Sequence, residues 1–126
     1  MPRQLHKRLL LVDDDRDTLD SIQQGLEALA GATVVTASSG EQALHALASN
    51  EVDAMVTDYR MPDMDGLQLS QKARRMKPHL AIVMITAFND LDLQDAAARA
   101  GICEVLAKPI DVDPLIDSVQ ACCEAQ

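Results

Sequence analysis

A chain of 126 residues, 48% apolar and 25% charged, has room for one core of ordinary size and is neither disordered nor fibrous. Its net charge of −9 argues against a general nucleic-acid binder, which needs a basic surface for phosphates. It fits a domain that holds a cation or meets a basic partner. One Tyr, one Phe and no apolar run of spanning length argue against a base- or flavin-stacking platform and against a membrane segment.

The N-terminal residues Met1 to Arg8 lack the apolar stretch of a signal peptide. Leu9–Val12 then reads as a short strand buried on both faces, and it runs directly into Asp13-Asp14-Asp15. Leu19, Ile22, Leu26 and Leu29 recur at helical spacing, followed by Gly31 where a left-handed residue is wanted. Thr33–Ala37 is a second strand. Ser38 or Ser39 can cap the next helix, which has Glu41 in its first turn and Ala43, Leu44, Leu47 and Ala48 on its apolar side. The third run, Ala54–Thr57, reaches Asp58 and the loop Tyr59-Arg60-Met61-Pro62-Asp63-Met64-Asp65-Gly66; Leu67, Leu69 and Ala73 continue as a helix. Ala81–Thr86 is the fourth strand, followed by Ala87 and an alanine-rich helix closed by Gly101. Val105–Ala107 is the fifth and ends in Lys108-Pro109. Asp113-Pro114 is expected as a cap and first helical residue, before Leu115, Ile116, Val119 and Cys122-Cys123.

Strict alternation of strand and helix predicts an α/β fold: a parallel sheet, helices on both faces and right-handed crossovers. Ligands of such sheets bind beyond the carboxyl ends of the strands. There the sequence places Asp13 and Asp14 after the first strand, Asp58 after the third, Thr86 at the fourth and Lys108 after the fifth. Two carboxylates about 5 Å apart repel by roughly 3 kcal/mol at an effective dielectric near 20, so such a cluster needs compensation. Lys108 and a divalent cation would supply it, and oxygen ligands suit Mg²⁺. Asp15 and Asp17 read instead as acids favoured by a helix N-terminus. An ionised Asp58 beside a metal and a lysine is a ready nucleophile toward a phosphoryl donor. Mg²⁺ and Lys108 would neutralise the phosphoryl oxygens, and the Thr86 hydroxyl would bond to one of them.

The remaining features read as structural. Cys103 stands apart from the adjacent Cys122 and Cys123, a spacing that suggests neither a disulfide framework nor a zinc site, so all three are expected as reduced packing residues in a cytosolic protein. His6, His45 and His79 form no ligand set. Lys72, Arg74, Arg75 and Lys77 are expected to decorate the exposed end of the third helix. Met61 and Met64 are expected to pack.

Taken in order, "LLVDDD", "VTDYRMPDMDG", "MITAF" and "LAKPID" resemble a receiver domain of the two-component response regulators from end to end. The resemblance implies a five-stranded doubly wound (βα)5 fold, flavodoxin-like with strand order 2-1-3-4-5, over residues 1–126 as a single receiver domain without an effector domain. It implies that Asp58 is the phosphoacceptor and that Asp13 and Asp14 are acidic metal-pocket residues. Arg60 would offer its main-chain carbonyl to Mg²⁺, for which Mn²⁺ could substitute. Thr86 becomes the switch hydroxyl, Ala87 the small residue beside it, Lys108 the phosphate contact, and Lys108–Pro109 a cis peptide bond. Pro62 and Gly66 would shape the loop, the glycine by permitting a turn conformation. The implied partners are a histidine kinase or histidine phosphotransfer protein and a downstream effector, with no direct nucleic-acid or membrane contact and a cytoplasmic location. The domain would be an autocatalytic phosphoacceptor with slow self-dephosphorylation, not a turnover enzyme. Val105 stands where the family usually carries Tyr or Phe, so the loop after the fourth strand and the fourth helix would carry the readout without an aromatic gate. Phe88 and Arg60 flank the expected path of the hydrolytic water, and a bulky Phe88 would lengthen the phosphorylated state.

Three other readings remain. A haloacid dehalogenase-type phosphatase would want an acid two residues after its nucleophile, where Arg60 stands. A flavin-carrying domain would want a phosphate-cradling loop where three acids lie. A receiver-like module never phosphorylated is favoured only by Val105.

Overall fold

The computed structural model describes residues 5–87 and 90–125; the expectation placed on Phe88 lies outside them. Ten elements alternate along the chain: β1 Arg8–Val12, α1 Arg16–Ala30, β2 Thr33–Ala37, α2 Gly40–Ser49, β3 Ala54–Asp58, α3 Gly66–Met76, β4 Ala81–Thr86, α4 Leu91–Arg99, β5 Glu104–Ala107 and α5 Val112–Glu124. The strands form one sheet in the order β2-β1-β3-β4-β5, every pair parallel. The expected doubly wound flavodoxin-like architecture is therefore the observed one.

Successive side chains of a strand face opposite ways, and this explains why the central strands are apolar without alternation. Leu9, Leu11, Ala54, Val56, Val83 and Ile85 enter a core beneath α1 and α5, with Leu19, Leu26, Leu115 and Val119. Leu10, Val12, Met55, Ile82 and Met84 enter a second core beneath α2, α3 and α4, with Leu47, Leu69 and Leu93. All residues of β3 and β4 are buried, whereas the edge strands β2 and β5 are only partly covered. Burial on both faces was expected of all five strands and holds for the inner ones, since each outer strand has one neighbour instead of two.

The helix ends combine agreement and correction. Ser39 caps α2, its side chain accepting from the Gln42 N–H. Gly31 and Gly101 take positive φ values of 63° and 83°, as expected of residues closing helices. In α1 the fourth core position is Ala30, not Leu29, which is 50% exposed; eleven residues, about three full turns, separate Ala30 from Leu19 and return it to the same side of the helix, whereas Leu29 falls short of that face. Helix α5 begins earlier than Asp113-Pro114 suggests: Asp111 is the N-cap and Pro114 lies within the first turn. Proline is tolerated there because first-turn N–H groups have no intrahelical partner.

The cysteines depart most from expectation. Cys103 and Cys122 form a disulfide across 19 residues of sequence, and only Cys123 is free. The adjacency of Cys122 and Cys123 obscured this pairing. Neighbours on a helix point about 100° apart, so Cys122, the more deeply buried of the two, is the one placed against the start of β5.

Arg74 is likewise more than surface decoration. Half-buried, it donates to the Pro78 carbonyl at 2.8 Å and to the Gly101 carbonyl at 2.5 Å, joining the end of α3 to the turn after α4. Lys72 and Arg75 are exposed as expected.

Candidate functional site

The acid cluster arises where β1 and β3 stop. In the order 2-1-3 the chain changes direction between these strands, which makes their carboxyl ends the switch point where a cleft opens. Asp13 directly follows β1 and is 5% exposed; Asp58 is the last residue of β3 and is 8% exposed. Asp14 is exposed. One carboxylate oxygen from each of the three lies within 4.8 Å of the others.

Lys108 reaches the cluster from the end of β5. Its Nζ lies 3.1 Å from Asp58 Oδ1 and 3.9 Å from Asp13 Oδ2, with about one-third of its side chain exposed. Two backbone links set its position: its N–H donates to the Thr86 carbonyl at 2.9 Å, and β4 and β5 are in register from Val83↔Glu104 to Thr86↔Ala107. The Lys108–Pro109 bond is cis, as the resemblance implied. Asp58 Oδ1 also accepts the Tyr59 N–H at 2.9 Å, and Asp13 Oδ1 accepts the Asp15 N–H at 2.9 Å.

Electrostatically the pocket is uncompensated. Three ionised carboxylates against one ammonium leave a local charge of −2 (−3 + 1). Burial pushes the Asp13 carboxyl up to about 6. The neighbouring Asp58 and Asp14 charges add to the rise, while the Asp15 N–H and Lys108 oppose it. A donor set of hard oxygens with excess negative charge fits a divalent cation such as Mg²⁺.

The other expected site residues take different positions around this centre. Thr86 ends β4 and is 1% exposed; Ala87 follows it on the surface. Arg60 is exposed and lines, with Asp14, Tyr59, Met61, Pro62 and Asp65, a shallow cavity of about 470 Å³. Pro109 borders a groove of about 560 Å³ whose walls include Asp13, Thr18 and Lys108. Val105, in contrast, is half-buried against the core beneath α4 and does not line either cavity. Asp15 and Asp17 belong to the start of α1 as expected. Asp15 is the N-cap and accepts from Thr18 Oγ1 and from the Asp17 N–H, which together hold its carboxyl below the usual range.

The loop after Asp58 contains supports that sequence reasoning did not find. Gly66 N–H donates to the Tyr59 carbonyl at 2.7 Å, and a Cβ at Gly66 would lie 2.6 Å from the Asp58 carbonyl oxygen. Close approach of α3 to the Asp58 backbone, not a special turn conformation, is thus what requires glycine. Asp65 and Gln68 form a capping box on α3, a pattern that their three-residue spacing could have revealed. Asp63 accepts the N–H groups of Gly40 and Glu41 at 3.2 and 3.1 Å, fastening the loop to the start of α2. Nothing local in the sequence signals that contact, which spans more than twenty residues. Met61 and Met64 pack against the core beneath α2 to α4, as expected.

A doubly wound sheet with three carboxylates and a lysine at its switch point defines a class: flavodoxin-like α/β proteins with a charged cluster at one sheet edge. The chain belongs to the response regulator receiver domain family, which matches residues 9–120. The C4-dicarboxylate transport transcriptional regulatory protein DctD of Rhizobium meliloti is 37% identical over 112 residues, or 89% of this chain and 24% of its own length. The DNA-binding transcriptional regulator NtrC of Escherichia coli is 37% identical over 110 residues, or 87% of this chain and 23% of its own. A CheY-like response regulator receiver domain protein from Methanospirillum hungatei superposes with a TM-score of 0.89 at 28% identity, covering 94% of both chains. The chain thus spans about a quarter of the length of these curated relatives. Among the described residues no helix is long and apolar enough to cross a membrane.

Proposed function

We propose that this receiver domain takes a phosphoryl group onto Asp58 from the phosphohistidine of a histidine kinase or histidine phosphotransfer protein, and so switches a partner-facing surface. The approach of Lys108 Nζ to within 3.1 Å of Asp58 Oδ1, inside the three-acid cluster, carries this reading. A carboxylate oxygen of Asp58 forms the new O–P bond as the N–P bond of the donor breaks, and the departing imidazole takes up a proton. Lys108 pairs with the incoming phosphoryl oxygens in place of Asp13 and Asp58. Thr86 contributes a hydroxyl at the adjacent strand end, and Ala87 leaves room beside it. Asp13, Asp14, Asp58 and the Arg60 carbonyl would hold Mg²⁺, or Mn²⁺ in its place. When bound, the ion supplies the positive charge that the cluster lacks, on the acids and on the phosphoryl oxygens. The reaction is stoichiometric, and self-dephosphorylation is slow.

The output follows from the parts adjoining the site: the segment from Thr86 into α4, and the α4–β5–α5 face. With Val105 in place of an aromatic residue, Thr86 and α4 carry the change. An effector domain or protein downstream fits the roles of DctD and NtrC as transcriptional regulators. The acidic charge supports a domain that does not itself touch nucleic acid, and we place it in the cytoplasm with its kinase partner.

Incubation with a small-molecule phosphodonor, with and without Mg²⁺, followed by intact mass tests the proposal. The expected result is a metal-dependent gain of one phosphoryl group, lost entirely in Asp58→Asn. A gain that persists in that variant, or no gain in the wild type, overturns it; the latter outcome favours the module whose output needs no phosphorylation, the reading that Val105 suggests.

A further inference from the structure

The Cys103–Cys122 bridge takes no part in the chemistry proposed for Asp58. It joins the residue preceding β5 to the last turn of α5. One helical turn earlier, Ser118 Oγ donates to Glu104 Oε2 at 2.5 Å, so two adjacent ties fasten the same strand to the same helix. The bridge is lopsided: Cys122 is 1% exposed, whereas Cys103 is open to solvent. Cys103 also lines a groove of about 310 Å³ with Gln94, Ala98 and Val105. A solvent thiol therefore has access to one sulfur and not to the other.

The reduced pair would also pack. Protonated Cys122 behaves as a small apolar side chain in a core that already includes Leu115 and Val119. Cys103 would remain at the surface, where its N–H bonds the Ile82 carbonyl at 2.7 Å in a contact that does not involve the sulfur. Reduction would thus leave the sheet intact and change how α5 is held.

We propose that Cys103–Cys122 is a reversible thiol–disulfide site addressed by a low-molecular-weight thiol of the glutathione class, and that its state sets how tightly α5 is held against β5. In the reducing direction a glutathione thiolate attacks Cys103 Sγ. The Sγ–Sγ bond breaks, a mixed disulfide forms at Cys103, and Cys122 leaves as a thiolate that takes up a proton. A second glutathione thiolate then attacks the glutathione sulfur of that mixed disulfide. Cys103 is released as a thiolate and glutathione disulfide forms, so two electrons have passed from two thiols to the bridge. Oxidation by glutathione disulfide is the reverse sequence. Cys123 is a poor competitor: it lies on another side of α5 from Cys122 and is half-buried. Burial also raises its thiol above the usual range, which keeps it protonated and slow to attack. Because β5 leads directly into Lys108, a looser α5 reaches the cation of the acid pocket.

The test needs no phosphodonor and so stands apart from the phosphorylation reading. The folded chain is equilibrated in glutathione mixtures of stepped thiol-to-disulfide ratio, trapped by alkylation, mapped by peptide mass and followed by amide hydrogen exchange. The expected result is that Cys103 and Cys122 change state together within the series, with β3 amides equally protected throughout. Amides of α5 should exchange at least about tenfold faster in the reduced form. Cys123→Ser should keep the same midpoint, and Cys103→Ser should show the fast α5 exchange at every ratio. A bridge that opens only on denaturation, pairing through Cys123, or α5 exchange that is the same in both states would overturn the proposal.

Discussion

The two strands that deliver the opposite charges of the site are held in contrasting ways. Strand β3 lies in the middle of the sheet with every residue buried, so Asp58 is fixed by packing on both faces. Strand β5 is a short edge strand with exposed ends. Lys108 is instead positioned by discrete links: its own N–H to Thr86, the Glu104–Ser118 hydrogen bond and the Cys103–Cys122 bridge. Asp58 is thus rigid by default, whereas the cation that meets it sits on the part of the fold most open to adjustment. If Asp58 is the acceptor proposed above, that division keeps its carboxylate in place while its surroundings move.

The sharpest way to break this comparison is to cut both strands. Met55→Ala removes a fully buried β3 side chain and should cost roughly 2–5 kcal/mol in a urea titration. Val105→Ala on half-buried β5 should cost less than about 1.5 kcal/mol; equal losses would erase the distinction. Next in size is the bridge. Cys103→Ser should lower stability by about 2–4 kcal/mol, the loop-closure contribution, and a thermal melt of fully reduced wild type should lose a similar amount. A variant as stable as the oxidised protein would show that β5 needs no staple.

Smaller effects test the loop that supports Asp58. Asp63→Ala removes the acceptor for two N–H groups of α2 and should cost roughly 1 kcal/mol, as lost helix caps do. Burial opposes ionisation of Asp63, but the Glu41 and Gly40 N–H donors outweigh it and hold its carboxyl below the ordinary 3.8. Its stabilisation is therefore complete above about pH 4 and is lost as pH falls through the depressed folded value. The gap between wild type and variant, measured by chemical denaturation, should stay level from neutral pH to about pH 4 and close below it. A gap that instead widens in acid would contradict the assigned contacts. The smallest effect belongs to α3, where the buried Ser70 hydroxyl has no hydrogen-bond partner among the described residues. Ser70→Ala should be neutral or stabilising by up to about 1 kcal/mol in the same assay.

What could be read in advance followed the same division. The placement of Asp13, Asp58, Thr86 and Lys108 at the carboxyl ends of their strands was legible because each terminates an apolar run. Features made by distant segments were not. Asp63 caps a helix more than twenty residues earlier, Gly66 is required by the Asp58 backbone, and Cys103 meets Cys122 only once α5 lies beside β5. Leu29 and Asp113-Pro114 were placed in the right helices but at the wrong positions, since a one-residue difference in phase or start is below what a short apolar pattern resolves.

The two-faced sheet also limits how this gene can change. Asp13 continues the parity of Leu9 and Leu11, and Asp58 that of Ala54 and Val56, on the side of α1 and α5. Deleting or inserting one codon within β1 or β3 would invert every side chain beyond it and turn the terminal acid toward the opposite face. Substitutions can accumulate in these strands, but their lengths can drift only in steps of two.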